Sequence, residues 1–465
     1  MQLSNEEEDY NLSLSKFESM LKTNKVLFFD SEEFEEIILH YLDMGKAALA
    51  KKALKLALEQ HPKSTGLKLV QVEMLVYDDK LELAEKLLNE LYAIEPTNEE
   101  IYIQKANICS KRDQHEKAVE LLKTALKYTD DYADVYNLIG MEYLFMDNLE
   151  KAKENFIKCL EEDLEDQSAL YNVVYCFEFL DQNQEAIAYL NKYIDKNPYS
   201  EIAWHQLGRL HYGVKEYENA IRAFDYATLI DDEFLGAFME KAKAYERLKK
   251  YEEAIESYSR TIELDDATSY ALLRMGKCYE KLGNKALALK HFNQTVHEDP
   301  LLDKGWIAIT DFYVRQKNYQ KALFFVNKAL AIDNQNHLYW KRYASINKQM
   351  NFFEEAEFGY RKAVEFGETG LETWLFWVDI LQFLGEFESA IQTLLQASEY
   401  FPEENEVEYR LAGLYFMLTQ NTKAKFHLSN ALRLNFDNHI ILEDLFPAVW
   451  TKKMVQNYIA KHKKQ

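Results

Sequence analysis

Between Glu201 and Phe234 the apolar residues fall into two sets. Trp204, Leu207, Gly208 and Leu210 recur at the three-and-four spacing that gathers side chains on one helix face, and Ala220, Ile221, Phe224 and Ala227 form a second such face. Tyr212-Gly213-Val214 separates them, with Gly213 expected to carry the break because glycine tolerates backbone angles that end a helix. The pattern predicts a hairpin of two antiparallel helices, A and B. Gly208 and Ala220 are small so that the two backbones can approach, and Trp204 and Phe224 fill the space beside that contact. One hairpin cannot bury its apolar faces alone, so copies have to stack.

The copies are present at a fixed interval of 34 residues. With Glu201 as position 1, position 20 is alanine at Ala50, Ala84, Ala118, Ala152, Ala186, Ala220, Ala254, Ala288, Ala322, Ala356, Ala390 and Ala424. Position 27 is alanine at Ala57, Ala125, Ala227, Ala329, Ala363, Ala397 and Ala431, and position 32 holds Pro62, Pro96, Pro198, Pro300 and Pro402. An aromatic at position 4, a small residue at 8, alanine at 20 and 27 and an aromatic at 24 resemble the tetratricopeptide repeat. The resemblance covers residues 31–438 as twelve tandem repeats. It is weak at the start, where Ile38 and Val72 take the small position, and strongest around Gly208, Ala242 and Gly276. It implies an all-α, right-handed superhelical solenoid of about twelve antiparallel hairpins, and a non-enzymatic scaffold that binds other macromolecules.

The flanks are expected to cover the ends of the array. In an N-terminal capping segment, residues 1–30, Ser15 and Glu18 can form a capping box for a helix carrying Phe17, Met20 and Leu21, and Val26-Leu27-Phe28-Phe29 packs on the first hairpin. Asp30 and Glu33 offer a second capping box at the start of the first repeat. Residues 439–465 are expected to be a C-terminal capping helix and basic tail. Met454, Val455, Tyr458 and Ile459 form its apolar stripe, while Lys452, Lys453, Lys461, Lys463 and Lys464 face water.

Composition narrows the function. The formal net charge is −23, which disfavours general attraction to nucleic acid or anionic membrane. The acidic amino terminus argues against a secretory signal, and no uninterrupted apolar run of roughly 18 residues predicts membrane insertion. Cys109, Cys159, Cys176 and Cys278 show no CxxC pairing, so free thiols in a reducing, cytoplasmic setting are expected, with neither a disulfide nor a metal site. The phosphate-loop, dinucleotide, zinc-hydrolase and nucleophile-elbow motifs are all missing from the sequence, so no catalytic residue and no cofactor is expected.

In the family this chain resembles, positions 2, 5, 6, 9, 12 and 13 of helix A look into a concave surface where ligands bind. In repeats one to five those positions include Glu32, Glu35, Glu36, Asp43, Glu73, Glu100, Asp134 and Glu178 against Lys111 alone. Repeats six to ten reverse the balance: Arg209, Lys243, Arg247, Arg274, Lys277, Lys281, Lys304, Arg315, Lys341, Arg342 and Lys348 face Glu240, Glu246, Glu280 and Asp311. A groove focuses the field of its lining charges, so the resemblance implies a peptide or helix of acidic character as the protein partner. Asn137, Asn172, Tyr175 and Tyr212, with Met141 and Phe179, form a second patch suited to peptide backbone and apolar side chains. Two alternatives remain open: RNA binding along the same strip, and pairing of these bases with groove carboxylates such as Glu246 or Glu280 that only stabilises the stack. The clamp by which some members hold a carboxy-terminal carboxylate is not intact, because Ile103 and Leu138 replace its lysine and asparagine.

Overall fold

The computed structural model describes residues 13–22, 27–264 and 269–462. Among them the regular structure is helical throughout, and the 34-residue beat sets where the helices begin. Helix A starts at Ser31, Thr65, Glu99, Tyr132, Gln167, Glu201, Leu235, Ser269, Asp303, His337, Leu371 and Asn405; all but Tyr132 keep the interval. Helix B starts at Ala47, Leu81, His115, Leu149, Asn183, Tyr217, Tyr251, Lys285, Tyr319, Phe353, Phe387 and Asn421, with no exception.

The break between the helices is not made by Gly213. That residue is the last of its helix and has open space around it, while the left-handed residue is Lys215, φ 67°. The same position is left-handed at Asp79, Asp113, Asp147, Asp181, Lys249, Lys317, Asn351 and Thr419, with glycine only at Gly45, Gly283 and Gly385. One left-handed residue closes the last turn of helix A and turns the chain into helix B. In repeat six Lys215 N–H donates to Tyr212 O and Glu216 N–H to His211 O.

Position 8 is small chiefly to admit a ring, and at Gly276 the position-20 backbone approaches as well, Ala288 O lying 3.3 Å from where a Cβ would stand. A Cβ built on Gly140, Gly208 or Gly276 would fall 2.5–2.6 Å from the ring of Phe156, Phe224 or Phe292, the aromatic at position 24 of the same repeat. Helix A thus leaves a notch for a ring carried by helix B, and those three rings are essentially fully buried.

Successive repeats are tied by a second periodic contact. Trp204 Nε1 donates to Pro198 O at 3.0 Å, Trp306 Nε1 to Pro300 O at 2.9 Å, Trp340 Nε1 to Asn334 O at 2.8 Å and Tyr102 Oη to Pro96 O at 2.8 Å. The aromatic at position 4 therefore grips the carbonyl at position 32 of the preceding repeat, where proline is favoured after helix B.

Contacts divide the chain into two compact units, Met1–Asp232 and Glu233–Gln465. In the first, Phe17 and Met20, on a helix at 13–22, join Phe29, Phe34 and Tyr41 of the opening repeat in one cluster. The helix already runs at residue 13, so Ser15 lies inside it and cannot be its cap; Ser13 Oγ instead donates to Glu33 at 2.6 Å. The Asp30–Glu33 box is formed, Asp30 N–H donating to the Glu33 carboxylate at 2.9 Å. Leu27 and Phe28 are exposed and only Phe29 is buried; Val26 lies outside the described residues.

The second unit closes on short helices, Ile440–Leu445, Pro447–Trp450 and Lys453–His462. Val455 and Ile459 are buried and Met454 is exposed, while Lys463 and Lys464 lie outside the described residues. Phe446 enters the notch left by Gly413, whose Cβ would stand 2.3 Å from the ring. Gly413 is at position 9, and Tyr409 and Phe416 at positions 5 and 12 are fully buried, so this segment covers the inner face of helix A in repeat twelve.

Candidate functional site

In Glu233–Gln465 the bases of the inner face are sorted by ion pairing. Arg274 donates through Nε and Nη2 to the Glu246 carboxylate at 2.9 and 2.6 Å, and the fully buried Tyr258 donates its hydroxyl to the same carboxylate at 2.6 Å. Arg315 grips Glu280 through Nε and Nη2 at 3.0 and 2.6 Å. Arg342 grips Asp311 at 2.9 and 3.2 Å, and Lys341 reaches Glu368 at 3.5 Å. The three arginine pairs join neighbouring repeats, whereas Lys341 and Glu368 belong to the same one. Bidentate geometry is the strong form of this contact, and the guanidinium fork is suited to it. Arg274, Arg315 and Arg342 are therefore engaged with the chain's own carboxylates.

Apart from Lys341, the lysines are not. Among the described residues Lys243, Lys277, Lys281, Lys304 and Lys348 have no ion-pair partner. Lys243 lies 5.7 Å from the Tyr270 ring centroid and Lys348 4.6 Å from that of Phe376, while Arg247 is exposed. Lys277 stands at a recess of about 280 Å³ bordered by Glu246, Cys278, Lys281, Asp311 and Arg315. Desolvation first, then the neighbouring Arg274, hold its ammonium below the usual lysine range, although its outer surface remains open to water. Lys304 pushes in the same direction. Glu246 and Asp311 push the other way, and with Glu280 they balance the bases around the recess, so what is left uncompensated is the burial of the Lys277 ammonium and its closeness to Arg274.

Met1–Asp232 shows the other members of the expected set. Arg209 donates to Gln206 at 2.8 Å and comes within 3.9 Å of Glu178. Asn137 Nδ2 donates to Asp166 at 3.2 Å, and Asn172 Nδ2 contacts Met141 Sδ at 3.7 Å. Tyr175 is exposed and packs on Phe179 with ring centroids 4.4 Å apart; Phe179, 66 % exposed, is not tucked between hairpins. Tyr212 meets the Tyr217 ring with centroids 5.4 Å apart, at the turn between the two helices of repeat six.

The cysteines and His211 are engaged in packing and local pairing. The four cysteines are free, and burial pushes the Cys176 thiol up to about 11 and Cys278 up to about 12. His211, considered a packing residue, pairs with Glu216 at 2.8 Å. No cluster of metal-ligating side chains occurs among the described residues, and no helix there is long and apolar enough to cross a membrane. Sequence reasoning missed the sorting of arginines from lysines. Its pairs span 28, 35 and 31 residues, so no single spacing announces them.

Profiles of the tetratricopeptide repeat match residues 75–141, 133–166, 168–200, 205–269 and 239–303. Anaphase-promoting complex subunit 3 of Schizosaccharomyces pombe is 25% identical over 157 residues, 34% of this chain and 24% of that protein, so the match spans about a quarter of the relative. Among solved structures, the chain is similar to one in the APC/C hetero-tetramer Cut9-Hcn1, with 14% identity, 88% of this chain and 94% of that one covered, and TM-score 0.37. A tetratricopeptide repeat protein from Parabacteroides merdae is 15% identical, with 54% and 99% covered and TM-score 0.40.

Proposed function

Because the chain belongs to the tetratricopeptide-repeat family, a family of protein-interaction scaffolds, we propose that it is a non-enzymatic adaptor whose helix-A faces hold a partner segment. Within Glu233–Gln465 that segment is acidic and meets Lys277, Lys281, Lys304 and Lys243. The observation that carries this reading is the sorting of charge: Arg274, Arg315 and Arg342 are spent on internal carboxylates, while Lys243, Lys277, Lys281 and Lys304 have no ion-pair partner among the described residues. An acidic side chain entering the recess beside Lys277 offsets the burial and like-charge cost that this ammonium bears. Four scattered cysteines without a pairing partner fit a reducing, cytoplasmic setting. The flanking segments, residues 1–30 and 439–465, act in this reading as caps, since Phe17 and Phe446 both bury themselves against terminal repeats.

The test uses the full chain, a labelled 14-residue peptide of alternating glutamate and leucine, and a single-stranded RNA of similar charge. Changing Lys277, Lys281 and Lys304 to glutamate, with Arg274 left in place, should weaken the peptide roughly tenfold or more and leave thermal unfolding unchanged. Arg274 is spared because reversing it would set two carboxylates against each other beside the buried Tyr258. Unchanged peptide binding refutes the reading. Tighter binding of the RNA, with a steep loss of affinity as salt rises, replaces it with nucleic-acid recognition.

A further inference from the structure

The helix-A face of Met1–Asp232 carries carboxylates that no described side chain neutralises by an ion pair. Glu73, Glu100 and Asp134 stand on the A helices of repeats two, three and four, and among the described residues none has an ion-pair partner. Partial desolvation first, and neighbouring carboxylates second, hold Glu73 and Asp134 above their ordinary range, although both keep an outer surface open to water; Glu73 feels Glu100 and Asp43, and Asp134 feels Asp131 and Asp166. Glu100 is raised by burial as well, with Asp134 adding to it and a hydrogen bond from Gln104 opposing it. The three belong to one electrostatic row.

Two amides beside the row point the same way. Gln104 is 6% exposed; its Nε2 donates to Glu100 at 2.8 Å, which fixes which end of the amide is oxygen, and that Oε1 has no partner. Asn137 Nδ2 donates to Asp166, leaving Oδ1 without one. The unmet groups here are acceptors, so the matching donors have to come from elsewhere.

The row continues into exposed aromatic surface. Tyr77 lies one helical turn beyond Glu73, and Phe145 two turns beyond Asn137. Asn172 bridges from Met141 to the helix that carries Tyr175 and Phe179. Tyr77, Phe145 and Phe179 are each more than half exposed; Phe145 stacks on His115 at 5.3 Å and Phe179 packs on Tyr175 at 4.4 Å, which leaves their outer faces open to a partner's side chains.

We propose that this face docks a protein segment carrying lysine or arginine among apolar side chains. The cations meet Glu73, Glu100 and Asp134, and the apolar and cationic side chains lie on Tyr175, Phe179 and Phe145, whose ring faces also attract positive charge. The occupant is opposite in charge to the segment held by the other unit's lysines. The two readings rest on different residues and fail separately.

The experiment titrates the full chain with three labelled 14-residue peptides: alternating lysine and leucine, alternating lysine and serine, and alternating glutamate and leucine. Glu73→Gln, Glu100→Gln and Asp134→Asn together should weaken the lysine–leucine peptide roughly tenfold or more and leave the glutamate–leucine peptide unaffected. A matched variant, Glu116→Gln, Glu120→Gln and Glu154→Gln on exposed B-helix positions, should stay within about twofold of the unaltered chain. Tyr175→Ala with Phe179→Ala should weaken the lysine–leucine peptide and not the lysine–serine one, which keeps the test decisive if the triple variant folds poorly. Equal losses in the groove and matched variants would reduce the effect to general attraction by an acidic chain and overturn the proposal. So would equal affinity for the two lysine peptides. A dimer seen by sedimentation and abolished by the groove triple would make the occupant a second copy and likewise overturn it.

Discussion

Gly208 and Gly213 lie five residues apart in one helix and have different fates. Gly208 faces the Phe224 ring at a distance no side chain can share, whereas Gly213 has nothing within 4 Å. A glycine series separates the cases. Gly276→Ala, whose Cβ would fall 2.5 Å from the buried Phe292 ring, should cost about 1–3 kcal/mol by overpacking. Gly385→Ala, at φ 79°, should cost about 1 kcal/mol from backbone strain alone. Gly213→Ala should be neutral or stabilising by up to about 1 kcal/mol, because alanine is the better helix former. Urea unfolding of the three variants measures this; a large loss at Gly213 would return the helix break to it. The alanines at position 20 were legible because their type does not vary. The left-handed residue was not, since Asp79, Lys215, Asn351 and Thr419 share a backbone angle and no side-chain chemistry.

At the level of the element, hairpins could be placed from sequence because both apolar periodicities are tied to the same interval. The ties between hairpins were harder to see. Trp306 and Pro300 each stand out, yet the hydrogen bond between them links a side chain to a carbonyl, and a carbonyl leaves no mark in sequence. Trp374 departs from the pattern: its Nε1 is buried without a partner among the described residues, with Glu368 at position 32 before it, and proline there is not the requirement because Trp340 bonds to Asn334 O. The carboxylate row has an element-level consequence for pH. Glu73, Glu100 and Asp134 have raised folded-state values, so the folded chain holds their protons more tightly than the unfolded chain. Their contribution to stability is present below the ordinary carboxylate range and is lost as pH rises through the raised values. Glu100→Gln should therefore raise the melting temperature at neutral pH, with the gain disappearing below about pH 4, where the native carboxyl is protonated in both states. A melting temperature lower than that of the unaltered chain at pH 7 would mean Glu100 has a stabilising partner.

Across the whole molecule the net charge of −23 hides a segregation of sign. Counting facing positions revealed it, because the repeat register says which residues share a surface; what the count could not reveal is which charges are cancelled. Arg274, Arg315 and Arg342 looked equivalent to Lys277 and Lys281 in sequence, and only the bidentate contacts to Glu246, Glu280 and Asp311 separate them. The described inner face also ends at repeat twelve, where Phe446 occupies the notch at Gly413. The central claim is that the uncancelled lysines on the A helices form the surface that holds an acidic segment. Lysine acetylation footprinting, read residue by residue with and without the glutamate–leucine peptide, tests it most directly. The account predicts protection of Lys243, Lys277, Lys281 and Lys304 while the exposed B-helix residues Lys290 and Lys321 react unchanged. Protection of Lys290 and Lys321 with the four inner lysines still reactive would contradict it.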